Sequence, residues 1–467
     1  MNNIIQLIGE KVKKEINKNV NKVIEGSTSL DNIVDSVKEM VDEIGIDTLS
    51  TIIEELNNNI KRSPDRSGKY HVQRNNDKRV LITRFGELEF ERTYYKDVNS
   101  SKYVYILDEL LGIEKYERVE GSLKGDILDK AADLSYQKAA ELSTPVSITR
   151  ETVKKIIREN GAIDNLELKI GKKKKVKTIY IEADEDHVAL QNGKSREMKL
   201  IYVYDNKTLV NKKRFKLENT RYFTGEMKPE DMWTEVATYI HEAYDLKNVE
   251  NIYIAGDGAN WIKSGTSIIN SSKYVLDHYH LNKYVRIITA HLGSLEEPVD
   301  IDKPLWKNLR SGNKEFVVEL IDFAIEETPM KSKKKKMKDA KKYILNNWEG
   351  IINLFGETKY RCSAEGHISH ILSDRLSSRP MGWSIIGADE MARMRTYKAN
   401  GGSIKEYYRI LRRERKTEER ILKLDKKIKN QKKNLYKKVD PDKMIEMPYL
   451  SRTSGKWLKS MLKSSSF

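Results

Sequence analysis

The chain has 467 residues, with 86 Lys or Arg against 70 Asp or Glu, so its formal net charge at pH 7 is +16. This length allows two or three domains, and 38% hydrophobic residues is compatible with a globular protein that has a very polar surface. The positive charge favours polyanionic partners. The single cysteine, Cys362, excludes an internal disulfide and a cysteine-rich zinc ribbon and fits a reducing compartment. No apolar stretch approaches the roughly 18 residues of a membrane span, so we expect a cytoplasmic protein without membrane contact.

Residues 1–66 are predicted to form a helical region. Its opening is amphipathic and rich in Lys and Glu, unlike a signal peptide. Apolar residues then recur at spacings of three and four, the period of one helix face. They are Leu30, Ile33, Val34, Val37, Met40, Val41 and Ile44. Such a stripe is typical of a packing or oligomerisation surface.

Residues 67–117 are predicted to contain a β-hairpin. Val80 and Ile82 alternate before a turn at Phe85-Gly86, and a second alternating run follows that turn. That run consists of Leu88, Phe90, Arg92 and Tyr94.

Residues 118–170 have the proportions of a helix-turn-helix, with helices over 135–142 and 149–158 separated by Thr144-Pro145. The second helix carries the candidate DNA-binding residues, which are Arg150, Lys154, Lys155 and Arg158. An ordinary helical hairpin with solvated lysines remains the alternative.

Residues 171–400 are predicted to form an α/β domain with a mixed sheet. The expected strands are 177–191, 199–205, 212–218, 251–257 and 273–278, and a helix is expected over 230–246. A helical segment of about 285–358 interrupts this domain. Residues 401–467 are predicted to be a basic helical tail that adds phosphate contacts.

Three carboxylates are the candidate catalytic residues. Asp184 and Asp257 each end an apolar, strand-like run, and Glu365 lies near the start of a helical stretch. Adjacent strands that end at one sheet edge would bring the two aspartates together. Such a trio could hold two Mg²⁺ ions for phosphoryl transfer. Each acid alone is a weak signal, because an aspartate at a strand end is more often a turn or cap residue.

Imidazoles follow two of these acids. Asp277 and His280 lie in a strand-to-helix transition, where they form an incomplete zinc set but suit a second shell around the active site; histidines that cap the helix are the alternative. His367 and His370 follow Glu365 at a metal-pair spacing, without the His-Glu-x-x-His motif of a metalloprotease.

Three motifs carry a resemblance to a known family. They are Ile254-Ala255-Gly256-Asp257-Gly258-Ala259, Leu276-Asp277-His278-Tyr279-His280, and Cys362-Ser363-Ala364-Glu365-Gly366-His367 running on to Ser378-Arg379-Pro380-Met381-Gly382-Trp383. With them the chain resembles, over nearly its whole length, DDE-type bacterial insertion-sequence transposases of the ISLre type. This group was long catalogued as an uncharacterised protein family and is similar in outline to Mutator-like transposases.

The resemblance implies an RNase H-like catalytic domain in which Asp184, Asp257 and Glu365 bind two Mg²⁺ ions, for which Mn²⁺ can substitute. Asp277 and His280 match an Asp-x-x-His element of the relatives. The first acid departs from the Asp-Gly that is common in them, since this chain has Asp184-Glu185-Asp186. Asp186 is therefore an alternative first acid, on the same strand face as Asp184.

We therefore expect a transposase that binds the terminal inverted repeats of its insertion sequence and target DNA, acts as a homo-oligomer on DNA, and is associated with the nucleoid. A DNA-binding regulator, a catalytically inactive derivative and a metal-dependent nuclease without strand transfer are the alternatives. Product analysis separates the nuclease from a transposase, because both would use the same acids.

Overall fold

A computed structural model describes residues 2–211, 214–290, 300–356, 362–418 and 422. Residues 1–409 form one compact unit and residues 410–467 a second. The chain is helical over 404–418, and apart from residue 422 the rest of the predicted basic tail lies outside the described residues. None of the helices in the described ranges combines the length and apolar character that crossing a membrane requires.

The N-terminal region is a helical hairpin followed by a β-ribbon. α1 (Asn2–Ile24) packs on α2 (Leu30–Arg62), and the short α3 (Pro64–Ser67) leads into the antiparallel strands β1 (Tyr70–Thr83) and β2 (Gly86–Asp97). These bounds confirm the helical region and the hairpin predicted from the alternating apolar residues.

Not all of the alternating apolar residues of the ribbon are buried. Leu81 is buried, with Leu88 and Phe90 of β2, whereas Val80 is 39% exposed and Ile82 is half-buried. Thr83 pairs with Gly86 across the turn, so the turn residues are Arg84 and Phe85. The bounds of the next two elements, β3 (Tyr103–Val104) and α4 (Ile106–Leu111), complete the region.

Three helices connect this region to the central domain. They are α5 (Gly121–Ala131), α6 (Tyr136–Glu141) and α7 (Arg150–Asn160), and they pack on one another. Ser135 and Thr149 cap α6 and α7 by accepting a backbone N–H. The segment between α6 and α7 runs from 142 to 149, which is longer than the roughly three- or four-residue turn of a helix-turn-helix.

A mixed five-stranded sheet forms the centre of the molecule. Among the described residues after 170, the strands are β4 (Thr178–Ala189), β5 (Ser195–Tyr204), β6 (Asn206–Asn211), β7 (Arg214–Glu218), β8 (Arg221–Thr224), β9 (Asn251–Gly256) and β10 (Ser272–Leu276). The order in the sheet is β10-β9-β4-β5-β8. β5 is antiparallel to both of its neighbours, β4 and β8. β9 is parallel to both of its neighbours, β4 and β10.

The predicted third strand, 212–218, does not join this sheet. Its described part is β7, which pairs with β6 in a separate two-stranded sheet, and residues 212–213 lie outside the described ranges. The sheet position is filled by the four-residue strand β8, whose residues are all buried. β6 and β7 form a largely exposed pair of their own because they have too few apolar residues for a central position.

Helices cover both faces of the sheet. The helices after β8 are α8 (Pro229–Ala243), a 3₁₀ turn (Leu246–Asn248), α9 (Asn260–Lys263), α10 (Gly265–Ile268), α11 (His278–Thr289), α12 (Asp302–Ser311), α13 (Lys314–Glu327), α14 (Lys331–Asn346), α15 (Trp348–Phe355), α16 (Ala364–Ile368), a π-helical turn (Ser369–Ser373), α17 (Asp374–Leu376) and α18 (Ile385–Ala399). The segment predicted to be helical over about 285–358 thus contains α12 to α15, and residues 291–299 are outside the description.

The alternation of side chains along β4 and β5 separates two cores. On one face, Ile179, Ile181 and Ala183 pack with the helices α8 and α11 to α15. On the other face, residues such as Val188 and Tyr202 pack with α5 to α7 and α16 to α18. β9 is buried throughout its second to sixth residues, because helices cover both of its faces.

Candidate active site

Three aspartates lie just beyond the point where the pairing between three neighbouring parallel strands ends. β9 lies between β4 and β10, with Glu182 opposite Ala255 and Leu276 opposite Gly256. Continuing the first register by two residues sets Asp184 beside Asp257. Asp277 follows the last residue of β10, and its backbone N–H donates to the Gly256 carbonyl at 2.8 Å. The sheet therefore brings the two predicted aspartates and Asp277 together.

The turn after β9 is built for close approach. Gly258 has φ +98°, and a Cβ at this position would come within 2.5 Å of the Asn347 side chain. The Asp257 carboxylate accepts the Ala259 N–H at 2.9 Å, and the Tyr343 hydroxyl donates to the Asp257 carbonyl. The backbone of the second acid is therefore fixed on both sides.

The acids interact electrostatically across the strand ends. Burial raises the pKa of Asp184 to about 6, and the negative charge of Asp257 adds to this effect, while a hydrogen bond from the Glu185 N–H opposes it. Burial also raises the pKa of Glu185, again with a contribution from Asp257. Glu185 accepts the indole N–H of Trp261, on the opposite strand face from Asp184. The site thus brings several acidic side chains together in a partly buried position.

His280 stands beside this acidic edge. Its Nδ1 lies 2.8 Å from an Asp277 carboxylate oxygen, and this hydrogen bond is the main cause that raises the pKa of His280, with Asp257 and Asp184 contributing. Asp277 also caps α11 by accepting the Tyr279 N–H at 3.1 Å. Asp277, and not a histidine, therefore caps α11, and the same carboxylate contacts His280.

Glu365 reaches the same side of the sheet through α16. This helix packs on β4, and Ser363, two residues before Glu365, donates its backbone N–H to Glu182 at 2.6 Å. Glu182 is two residues before Asp184, so both point to the face that α16 covers. The Glu365 side chain is exposed, and among the described residues no hydrogen bond or ion pair orients it.

Glu182 is a buried anchor that the sequence reasoning missed. It accepts the hydroxyl groups of Tyr202 and Tyr204, the latter at 2.6 Å, in addition to the Ser363 N–H. Burial acts to raise the pKa of Glu182, but the Lys207 charge and these donors outweigh it and lower the pKa. The signal was its position, since it shares the strand face of Asp184.

Asp186, the alternative first acid, has different surroundings. It is 8% exposed and accepts the Ser377 hydroxyl at 2.8 Å. It pairs with Met198 of β5. It lies four residues beyond Glu182, the last β4 residue paired with β9, whereas Asp184 lies two residues beyond Glu182. The structure brings Asp184, and not Asp186, to the end of β9.

Two of the three predicted acids offer donors that suit Mg²⁺. Asp184 and Asp257 offer carboxylate oxygens, which are the ligands that Mg²⁺ prefers, and their mutual repulsion would be relieved by a cation. As the side chains stand, the described residues contain no preformed group of three carboxylate, imidazole or thiol side chains around one metal position. The two aspartates fit the ion, and Glu365 does not form a group with them in the described residues.

The four basic residues predicted on α7 separate into two groups. Lys154 and Lys155 are exposed, with Lys154 in a 3.3 Å ion pair with Glu151, and Arg150 donates to the Gln137 amide oxygen at 2.7 Å. Arg158 instead pairs with the buried Glu390 of α18 at 2.7 Å and donates to Ser384 at 2.8 Å. Arg158 therefore joins α7 to the rest of the domain.

Comparison with known proteins gives consistent matches over most of the chain. Residues 23–414 match the model of an uncharacterised protein family, UPF0236. Three UPF0236 proteins of Caldanaerobacter subterraneus subsp. tengcongensis are similar to this chain. One is 39% identical over 406 residues, or 86% of this chain and 83% of the relative. A second is 41% identical over 387 residues, or 82% and 81%.

The third relative is 38% identical over 407 residues, covering 86% of this chain and 82% of the relative. The name of the second relative joins eleven gene designations of one genome and that of the third joins four, so the family is present there in many copies. The chain belongs to the uncharacterised protein family UPF0236.

Proposed function

We propose that this protein is a DDE transposase, which binds the terminal inverted repeats of its insertion sequence and catalyses metal-dependent cleavage and transfer of DNA strands. The observation that carries the proposal is the proximity of Asp184, two residues beyond the last β4 residue paired with β9, to Asp257, which follows β9; the helix that bears Glu365 lies on the same face of β4. Burial and the charge of Asp257 raise the pKa of Asp184, and perturbed carboxylates of this kind are common at functional sites.

Three further observations support the proposal. The sheet, with three antiparallel strands followed by two parallel ones, is the arrangement expected of an RNase H-like domain. The net charge of +16 suits a DNA substrate. The many copies of relatives in one genome are consistent with a mobile element. A protein that acts on DNA in a bacterium would be found with the nucleoid.

The residues would divide the work as follows. Asp184, Asp257 and Glu365 would hold two Mg²⁺ ions, which when bound supply Lewis acidity for in-line displacement at phosphorus. Asp277 holds His280 at the edge of this site, where a protonated imidazole can donate to a phosphate oxygen. Burial lowers the pKa of Lys263, whose charge also interacts with Asp257.

We also propose that the active form is a homo-oligomer that joins two DNA ends. The α1–α2 hairpin exposes an apolar face that includes Ile16 (57% exposed), Val20 (50%), Val34 (59%) and Val41 (51%). α1 has five lysines and two glutamates, whereas α2 has eight acidic and three basic residues. This charge difference would favour packing of α1 on the α2 of a second copy.

The decisive experiment is strand cleavage and joining on labelled DNA that carries the inverted repeats flanking the gene, with Mg²⁺ or Mn²⁺. We expect wild-type protein to cleave and join, and Asp257→Asn and Glu365→Gln to do neither while still binding the DNA. Glu250→Gln is a matched control, because Glu250 is an exposed acid just before the opposite end of β9.

The other outcomes identify the rival functions. Cleavage without joining would indicate a nuclease. Binding without cleavage under every condition would indicate a regulator or an inactive derivative. Cleavage that survives both substitutions would overturn the assignment of the active site.

A further inference from the structure

α14 carries an unusual concentration of positive charge. Its sixteen residues include eight lysines and one aspartate. Lys331, Lys335, Lys338 and Lys342 follow one another at spacings of four, three and four, which sets them in one row along the helix. All four are exposed, while Met337, Ala340 and Ile344 hold the opposite side of the helix in the core. These four residues are called the lysine row below.

The lysine row is not used for internal ion pairs. Lys341 pairs with Asp322 at 2.6 Å, and Lys334 donates to the Glu326 carbonyl at 3.2 Å. Within the described ranges, no acidic side chain lies within ion-pair distance of a member of the row. The row therefore presents uncompensated charge to solvent.

The charge distribution also opposes the helix dipole. The first turn of α14 has no acidic residue and begins with Lys331, and its last turn has no basic residue. A helix is stabilised by the reverse arrangement, with acids at the N-terminus and bases at the C-terminus. A local rule broken in this way is expected where residues serve a function instead of the stability of their own element.

The C-terminal end of α14 is attached to the candidate active site. The Tyr343 hydroxyl donates to the Asp257 carbonyl, and the Tyr343 ring stacks on Tyr284 with centroids 3.7 Å apart. Asn347, at the end of the helix, packs against Gly258. Lys342, the last member of the row, is the residue before Tyr343, so the row runs along the helix axis toward the acidic edge.

We propose that the lysine row binds consecutive backbone phosphates of the DNA strand that enters the active site. This inference rests on the proposed function and adds a DNA-binding surface on the catalytic domain, separate from α7. The row runs from Lys331 to Lys342, which are eleven steps apart, or roughly 16 Å at 1.5 Å per residue. One DNA strand has a phosphate about every 3.4 Å of duplex axis, so a length of about five phosphates lies within its reach.

The test is the salt dependence of DNA binding, measured by fluorescence anisotropy on inverted-repeat duplex with Ca²⁺ in place of Mg²⁺. A variant with all four lysines of the row replaced by Gln should have a flatter plot of log affinity against log salt. Each lost phosphate contact reduces the slope by about 0.9, and thus by up to about 3.6 for the row. Replacement of the four by Arg should retain the wild-type slope, because the positive charge remains.

A second quadruple variant controls for the loss of charge. Lys69, Lys78, Lys102 and Lys115 lie in the N-terminal β region, and their replacement by Gln should leave the slope near the wild-type value. Thermal unfolding checks that each variant is folded; if the row variant is not, the single changes Lys335→Gln and Lys338→Gln should each reduce the slope by about 0.9.

The outcomes separate this inference from the proposed function. An unchanged slope in the row variant, or an equal loss in the control, overturns the inference while DNA binding by wild-type protein stands. Failure of the wild-type protein to bind DNA at any salt concentration overturns both.

Discussion

At the scale of single residues, the two aspartates of the Asp184-Glu185-Asp186 segment differ in what surrounds them. Asp184 lies beside the end of β9 and interacts with Asp257 and His280. Asp186 is buried, and one of its oxygens accepts a hydroxyl group from Ser377. These surroundings support the proposal that Asp184, and not Asp186, is the first metal ligand.

Replacing each aspartate by the isosteric Asn tests this difference. We expect Asp184→Asn to reduce metal-dependent cleavage by more than the roughly 10- to 100-fold that loss of an outer partner costs. Asp186→Asn keeps an acceptor for the Ser377 hydroxyl, so cleavage should remain near the wild-type level. Labelled-DNA cleavage rates measure both effects, and the reverse ranking would make Asp186 the first acid.

The raised pKa of Asp184 predicts how metal-free stability depends on pH. A carboxyl group with a folded pKa of about 6 and an unfolded pKa near 3.9 binds more protons in the folded state between these values. The stability it contributes is present below about pH 4 and is lost as the pH rises to about 6, by roughly 1–3 kcal/mol. Unfolding in EDTA should show this loss in wild-type protein, and Asp184→Asn should lack it.

The same group makes metal binding depend on pH. A metal ligand must be deprotonated, so stabilisation of the fold by Mn²⁺ should be present at pH 7 and fade below about pH 6. Thermal unfolding with and without Mn²⁺ measures this effect. Stabilisation that is equal at pH 5 and pH 7 would contradict a role of Asp184 in binding the ion.

At the scale of elements, α7 combines contacts that hold the fold with side chains that are free to meet DNA. Arg158 pairs with Glu390, whose pKa is raised by burial against the opposing effect of Arg158. Lys155 on the same helix is exposed. A basic helix is therefore not uniformly a DNA-binding surface.

Two substitutions on α7 should affect different properties, one the stability of the fold and the other the binding of DNA. Arg158→Gln leaves Glu390 unpaired and should lower the free energy of unfolding by roughly 1–3 kcal/mol, less than for a fully buried pair because Arg158 is partly exposed. Lys155→Gln should leave stability unchanged and reduce the salt slope of DNA binding by about 0.9. Denaturant unfolding and binding titrations of both variants measure the contrast. Equal loss of stability in the two variants would argue against the division of roles.

The sequence was sufficient to predict elements with strong apolar periods. The strands around Ile181 and Ile254 and the helix around Val236 were predicted from spacing alone, and the structure confirms them. β8 was not predicted, because four residues carry too little pattern and its place depends on pairing with β5. The anchoring of Asp257 by Tyr343 depends on a contact between residues 86 positions apart, which no local pattern reveals.

At the scale of the whole molecule, the exposed apolar face of the α1–α2 hairpin is the clearest incomplete surface among the described residues. Val34 and Val37 lie on it with 59% and 41% exposure. Burial of such a face in a second copy would gain about 25 cal/mol for each Å² of apolar surface.

A double substitution tests oligomerisation. Val34→Glu with Val37→Glu adds charge to this face and should convert an oligomer into a monomer without loss of secondary structure. Light scattering after size exclusion, with and without inverted-repeat DNA, measures the mass. The exposed positions Glu54→Gln and Glu55→Gln are a control for changed charge on α2 and should preserve the oligomer. A wild-type protein that is monomeric under both conditions would refute the proposal.

The alternation of side chains along β4 links the position of its acidic residues to the apolar residues between them. Glu182, Asp184 and Asp186 lie on one face, while Ile179, Ile181 and Ala183 hold the other face in the core. A slip of one residue would turn all three acids away from α16 at once, since side chains alternate along a strand. We therefore expect substitutions at 179, 181 or 183 that shift this register to impair the proposed activity in a protein that still folds.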